Sequence, residues 1–259
     1  MVQRRRGSRT GQTGDEVPRS LALLWKRADL QAPGRRKTLS LERIVAAAIQ
    51  IADADGLPAL SMARLAKRLG CATMSLYRHV ANKDELEVFM MDTAPGPPPV
   101  VDVHAAGWRS GLETWARALQ AVYHRHPWIL QIVAGRPPLE PGQLAWLDGG
   151  LRTLSGTRLT PGEKVSVLLL VLNYVRGEAQ VTTGLLQSHK RTIGEQREMD
   201  AWYGRMLARL IDPERFPALA EVSAAGVFGA GDGDGATDFD FGLSRILAGV
   251  EALLRGRRQ

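Results

Sequence analysis

Thr73, Met74, Ser75 and Arg78 bring together, within six residues, the side chains that read the edges of base pairs. A hydroxyl donates or accepts in the major groove, a methionine offers an apolar contact to a thymine methyl, and a guanidinium reaches guanine or falls back on a phosphate. Interleaved with them, Tyr77, His79 and Lys83 suit the phosphate backbone, which positions a duplex without reading it. Packing within the domain is the competing role for Tyr77 and His79. Ser61 and Arg64, at the start of the preceding helix, complete the candidate DNA contacts.

Such a set needs a short helix held at a sharp angle on another. Residues 60–83 have the spacing for it. Ala66 is small where the helices would cross, Gly70 four residues on can take positive φ in the turn, and Leu76 ten residues after Ala66 plugs the second helix onto the first. The pattern predicts a helix-turn-helix with its reading helix over residues 74–80, N-terminal residues against the bases. Leu65, Leu69 and Leu76 are core by spacing. Leu41, Ile44, Val45, Ala48, Ile51 and Ala52 recur on one face of a supporting helix, which Ser40 caps and Gly56 ends in the left-handed conformation. Ser61 is placed to cap the second helix and Thr73 the third, while Asn82 with Glu85 three residues later opens a fourth. Lys83 stands at that last cap, where the helix dipole favours a phosphate.

Over residues 40–92, about a fifth of the protein, the chain resembles the N-terminal domain of TetR-family transcriptional regulators. Their second-to-third-helix region commonly ends in Leu-Tyr-x-His/Tyr-Val/Phe-x-x-Lys, and here stand Leu76, Tyr77, Arg78, His79, Val80, Ala81, Asn82 and Lys83. The remainder is similar in layout to tetracycline-repressor-like C-terminal domains: a tryptophan-rich helix, a Gly135-Arg136-Pro137 segment and a final helix opening at Phe239-Asp240-Phe241-Gly242-Leu243. The resemblance implies a homodimer on double-stranded DNA with a palindromic operator, its heads coupled to a ligand pocket in each C-terminal domain. One departure is that the tetracycline-repressor branch often carries Arg two residues after the position of Ser61, where this chain has Ala63 followed by Arg64.

Composition fits that organisation. With 259 residues and 44% hydrophobic content, the chain can build a small head and a larger core. Residues 1–92 hold 16 Lys/Arg against 10 Asp/Glu, while residues 93–259 are nearly balanced at 18 against 17, so the basic part is the part with the motif. Residues 1–39 carry basic clusters at Arg4-Arg5-Arg6 and Arg35-Arg36-Lys37 and read as a flexible arm, with a short amphipathic helix around Trp25 inside it. Residues 40–93 form the head, and Pro95, Pro97, Pro98 and Pro99 break the helix before a body over residues 100–259. No run is apolar enough for a membrane span and no secretory signal follows the N-terminal arginines, so a cytoplasmic protein with no membrane partner is expected. The single cysteine, Cys71, excludes an intrachain disulfide and is expected buried after the turn.

The body reads as helices throughout, giving an all-α protein with a three-helix DNA-binding head. Trp108, Leu112, Trp115, Leu119 and Val122 form a stripe, Thr160-Pro161-Gly162-Glu163 is a capping box, and residues 165–175 are apolar nearly all round, which predicts a central helix. In the last helix, Ala248, Gly249 and Ala252 near the apolar residues suit a dimer seam. Trp115, Trp128, Gln131, Trp146, Asn173 and Arg176 are the candidate lining for a small, partly apolar effector. Asn173 leads, because a buried amide needs a partner. No metal spacing joins His104, His124, His126 and His189; no cofactor motif or nucleophile signature is present. The reading is a ligand-released repressor; the alternatives are a regulator without a small-molecule ligand and a helical enzyme with an incidental helix-turn-helix.

Overall fold

The computed structural model describes residues 17–29, 39–132, 137–187, 193–228 and 235–256, and all regular structure among them is helical. Helix α1 (Arg19–Asp29) precedes the head, which consists of α2 (Leu41–Asp55), α3 (Met62–Leu69), α4 (Thr73–Tyr77) and α5 (Lys83–Thr93). The body follows as α6 (Val103–Arg125), α7 (Ile129–Ile132), α8 (Pro141–Thr153), α9 (Pro161–Gln187), α10 (Ile193–Leu210), α11 (Pro217–Ala224) and α12 (Gly235–Gly256).

Side-chain caps set most of the head's boundaries. Arg43 N donates to Ser40 Oγ (3.4 Å), Arg64 N to Ser61 Oγ (3.2 Å) and Glu85 N to Asn82 Oδ1 (2.8 Å). The reciprocal bond of the Asn82 box is displaced: Glu85 Oε2 accepts from Ala81 N at 2.5 Å, one residue before the cap. At the turn, Gly70 is left-handed (φ 66°, ψ 35°), with Cys71 N bonded to Ala66 O and Gly70 N to Lys67 O, a Schellman closure. Gly56 departs from the left-handed expectation. Its φ is 81° but its ψ is 161°, an extended region open essentially to glycine alone.

Two expectations for the reading helix are corrected. Thr73 is its first helical residue and not its cap; Ala72 takes the cap position with no side-chain bond. The helix also ends at Tyr77, and the N–H groups of His79 and Val80 both turn back to Leu76 O. This early end lets Val80 join Ile44, Leu65, Leu76, Leu86 and Phe89 in the fully buried head core. Cys71 is half-buried, less covered than expected.

In the body, Leu112, Trp115, Leu119 and Val122 are buried on α6, while Trp108 is half-buried beyond a kink at Gly107 (φ 73°, ψ 163°). The α9 box forms as expected: Thr160 N donates to Glu163 Oε2 (2.8 Å) and Glu163 N to Thr160 Oγ1 (3.3 Å). Yet α9 is not central all round. Val167, Leu168, Val171, Val175 and Ala179 face the core, whereas Leu170 is 51% and Val181 64% exposed, and Asn173 lies on this exposed side as well. Helix α12 packs on α9 through Leu243, Leu247 and Val250 and leaves Phe241, Gly249, Ala252 and Leu253 outside. Helices α10 and α11 pack on each other, with no buried residue over 201–228.

Part of the N-terminal arm is docked. Helix α1 buries Leu21 and Leu24 against α5 and α8, Arg19 pairs with Glu85 (3.6 Å), and Trp25 Nε1 donates to Leu139 O (3.1 Å). The basic clusters, Gly135-Arg136, His189 and most of the Gly/Asp-rich stretch lie outside the described residues. Among the described residues, no helix is long and apolar enough to cross a membrane, and no group of three His, Cys, Asp or Glu is placed to hold a metal.

Candidate functional site

Helix α4 is held on α3 by Leu65, Ala66 and Leu76, all buried, so its opposite face is presented to solvent. That face carries Met74, 72% exposed, and Tyr77, 42% exposed, followed by the exposed Arg78 at the cap. An uncovered methionine and tyrosine on a five-residue helix cost solvation unless a partner surface meets them. Thr73, Ser75 and His79 are half-buried at the edges of the same surface. Lys83 opens α5 beside them, 3.6 Å from Glu87 one turn on. Seven of the nine candidate DNA contacts thus lie on the reading helix or within six residues of its end, each exposed or half-buried.

The other two are engaged within the head. Ser61 Oγ serves as the α3 cap, and the Arg64 guanidinium lies 2.5 Å from Asp55 Oδ2, an exposed ion pair tying α3 to the end of α2. Arg68 similarly donates to Gln50 Oε1 (2.8 Å).

Behind the head lies a cavity of about 220 Å³. Trp115 on α6 and Trp146 on α8 form its floor, Leu119, Val122 and Tyr123 a wall, and Asn173 with Arg176 on α9 its rim. Met91 of α5 and Pro95 of the linker close the side toward the head. The two indoles meet edge to face, 6.2 Å between centroids, and both N–H groups are satisfied by backbone: Trp115 Nε1 donates to Trp146 O (2.9 Å) and Trp146 Nε1 to Gly96 O (2.8 Å). Burial pushes the Tyr123 phenol above its ordinary pKa, with the positive charge of Arg176 pulling the other way. A larger cleft of about 340 Å³ at Trp108, Arg158, Glu251 and Arg255 is mainly polar and remote from α4.

Four of the six effector candidates, Trp115, Trp146, Asn173 and Arg176, therefore line one cavity. Trp128 and Gln131 do not. Gln131 is exposed, and Trp128 is buried with its indole donating to Asp53 Oδ1 of α2 (2.7 Å). The same oxygen lies 2.8 Å from His126 Nδ1, so one head carboxylate gathers two groups from the short segment between α6 and α7. A second tie crosses at Gly142, whose N–H donates to Asp92 Oδ1 (2.6 Å); a Cβ there would stand 2.5 Å from Asp92 O. Sequence reasoning missed Asp53 and Tyr123, since an acid among helix-surface residues and a tyrosine in an apolar stripe carry no distinctive spacing.

Residues 44–87 match the family described as bacterial regulatory proteins, tetR family, and residues 102–254 match the tetracyclin repressor-like C-terminal domain. Across 258 residues the chain is 38% identical to the HTH-type transcriptional repressor DrrR1 of Streptomyces coeruleorubidus, covering 98% of this chain and 93% of that one. It is 29% identical over 229 residues to an HTH-type transcriptional regulator of Saccharopolyspora erythraea, covering 88% and 91%. Among solved structures, the TetR family protein ActR of Streptomyces coelicolor in complex with actinorhodin superimposes with a TM-score of 0.69 at 27% identity, over 83% of this chain and 98% of ActR. ActR in complex with (S)-DNPA gives 0.66 at 28% identity, over 84% and 99%. An all-α chain with a helix-turn-helix head, matched in both halves and along nearly its full length, is a transcriptional regulator and not an enzyme, and it belongs to the TetR family.

Proposed function

We propose that the protein is a homodimeric, cytoplasmic repressor that occupies a palindromic operator and leaves it when a small, partly apolar molecule enters the cavity behind the head. Thr73, Met74, Ser75 and Arg78 read bases, and Tyr77, His79 and Lys83 hold phosphates. Ser61 and Arg64 act chiefly by orienting α3, since both are engaged inside the head. The observation that carries the effector reading is the shared wall: Met91 and Pro95 belong to α5 and the linker, and Trp146 holds Gly96 O of that linker (2.8 Å). A molecule that shifts Trp146 thereby shifts the chain entering the body. To empty an operator decisively it must prefer the released arrangement by several kcal/mol, roughly 5.5 for a full reversal of populations.

Dimerisation is supported by the apolar residues that α9 and α12 leave uncovered, Leu169, Leu170, Phe241 and Leu253. Two copies joined there would form a four-helix seam. The repressor sense follows DrrR1, which is a repressor. ActR structures holding actinorhodin and (S)-DNPA support a ligand-taking body. The test is selection of bound duplexes from a random library, followed by titration of the winner with candidate effectors. A palindrome whose complex weakens with at least one cavity-binding compound is expected; enrichment without any such compound would leave a DNA reader with no small-molecule effector.

A further inference from the structure

Resting on the reading of this cavity as the effector site, we infer that Tyr123 selects its ligand, by donating to the carbonyl oxygen of an uncharged, flat aromatic molecule. Trp115, Leu119 and Tyr123 stand four residues apart on α6, so they share one helix face, and all three line the cavity. The indole N–H groups of Trp115 and Trp146 are already spent on Trp146 O and Gly96 O, so the floor offers only ring faces and edges, which favour a flat apolar body. Tyr123 differs from them. It is 7% exposed, yet its hydroxyl has no hydrogen-bond partner among the described residues. Burial raises its pKa, so the phenol keeps its proton and stays a donor.

A buried hydroxyl that nothing accepts from is costly, and native proteins rarely keep one without a use. The amides in the lining have an outlet: Gln143 is half-buried and Asn173 exposed, so water reaches both. The Tyr123 O–H must instead be met from inside the cavity. A carbonyl oxygen meets it and carries no proton of its own, whereas a ligand hydroxyl or amine would bring a donor to a wall of Leu119, Val122 and Ile129 that can pair with none. Charge is disfavoured for a separate reason. The charged side chain in the described lining, Arg176, is already engaged, and no carboxylate is present, so an ionised ligand would be desolvated without a counter-charge to itself. At about 220 Å³ the cavity lies below the roughly 300–1,000 Å³ of drug-sized sites, so two or three fused rings are the fitting body.

Probes of one shape separate the carbonyl from charge and from size. Ligand-observed NMR titration of the full chain is expected to show 1-indanone and indane binding more tightly than 1-aminoindane and indane-1-carboxylate. Tyr123→Phe should weaken 1-indanone by roughly five- to tenfold while indane stays within about twofold, so that the ratio of the two affinities isolates the hydroxyl. The same variant should melt at the wild-type temperature or above it, because the deleted hydroxyl held no protein partner. An unchanged indanone-to-indane ratio, tightest binding of either ion, binding of none of the series, or a lowered melting temperature would each overturn the inference. 1-Indanone that binds as described but leaves the selected operator complex unchanged supports the ligand class and counts against the effector reading alone.

Discussion

In the head, helix ends are closed by neighbours a few residues away, and the large apolar groups left in water, Met74 and Tyr77, are confined to the reading helix. In the body, α9 and α12 leave apolar groups uncovered along their length, and the cavity is built from elements as distant in sequence as Met91 and Arg176. Exposure therefore means different things in the two regions. On the proposed reading, the short self-closing segment exposes residues for DNA, while the long helices expose a surface for a second copy.

The sharpest break of this comparison is the same truncation in both regions. Leu76→Ala empties a fully buried site and is expected to destabilise the head by about 2–5 kcal/mol, abolishing operator binding at ordinary temperature. Leu170→Ala, on the exposed side of α9, should change the stability of a single chain by less than about 0.5 kcal/mol. Urea unfolding at dilution, where dimers dissociate, checks both. Comparable losses at the two positions would erase the distinction.

A charge on the same α9 face probes what covers it. Leu170→Glu is expected to weaken self-association by about 2 kcal/mol or more, read by sedimentation equilibrium, with helicity intact. An unchanged association constant would move the seam elsewhere.

These contrasts explain how much was legible in advance. Ser40, Gly70, Ser61 and Asn82 work through partners three or four residues away, so their spacing alone placed the head's helices. The body's errors share one cause: the decisive partner is remote. Asn173 sits in an apolar run yet on its outer side, because burial on α9 depends on where α6, α8 and α12 pack. Trp128 looked like lining but is consumed by Asp53, 75 positions away. The docking of α1 rests on Glu85 and Leu139, which no local pattern links to it. Four effector candidates did converge, since aromatic and polar residues on facing helices remain available to a cavity wherever the helices close.

The Asp53 contact joins the two regions, and its removal is expected to cost less than a core truncation. Asp53→Ala leaves the buried Trp128 N–H without its acceptor, about 1–3 kcal/mol, while Asp53→Asn keeps an oxygen and should cost less. If the contact links head to body, Asp53→Ala also lowers the effector concentration that releases operator, measured by fluorescence anisotropy. Destabilisation without any change in that concentration would make the contact a simple strut.

A similarly small effect on stability, and the finest test of the head, is at Lys83. Its ammonium pairs with Glu87 at 3.6 Å in an i,i+4 arrangement, both partners half-buried at the helix surface, so Lys83→Ala should alter folding stability by about 0.5 kcal/mol. Its effect on DNA has a different signature, because a phosphate contact releases counterions whatever the sequence beneath it. The variant is expected to bind operator and unrelated duplex with proportionate losses and to reduce the slope of log K against log salt by about 0.9 per chain. Met74→Ala should do the reverse: the slope is kept, since no charge is lost, while discrimination at one base position falls by about 1–3 kcal/mol. The pair divides the exposed patch into a part that grips and a part that reads. Interchange of the two signatures would mean that α4 lies on the duplex in another orientation, with its N-terminal residues away from the bases.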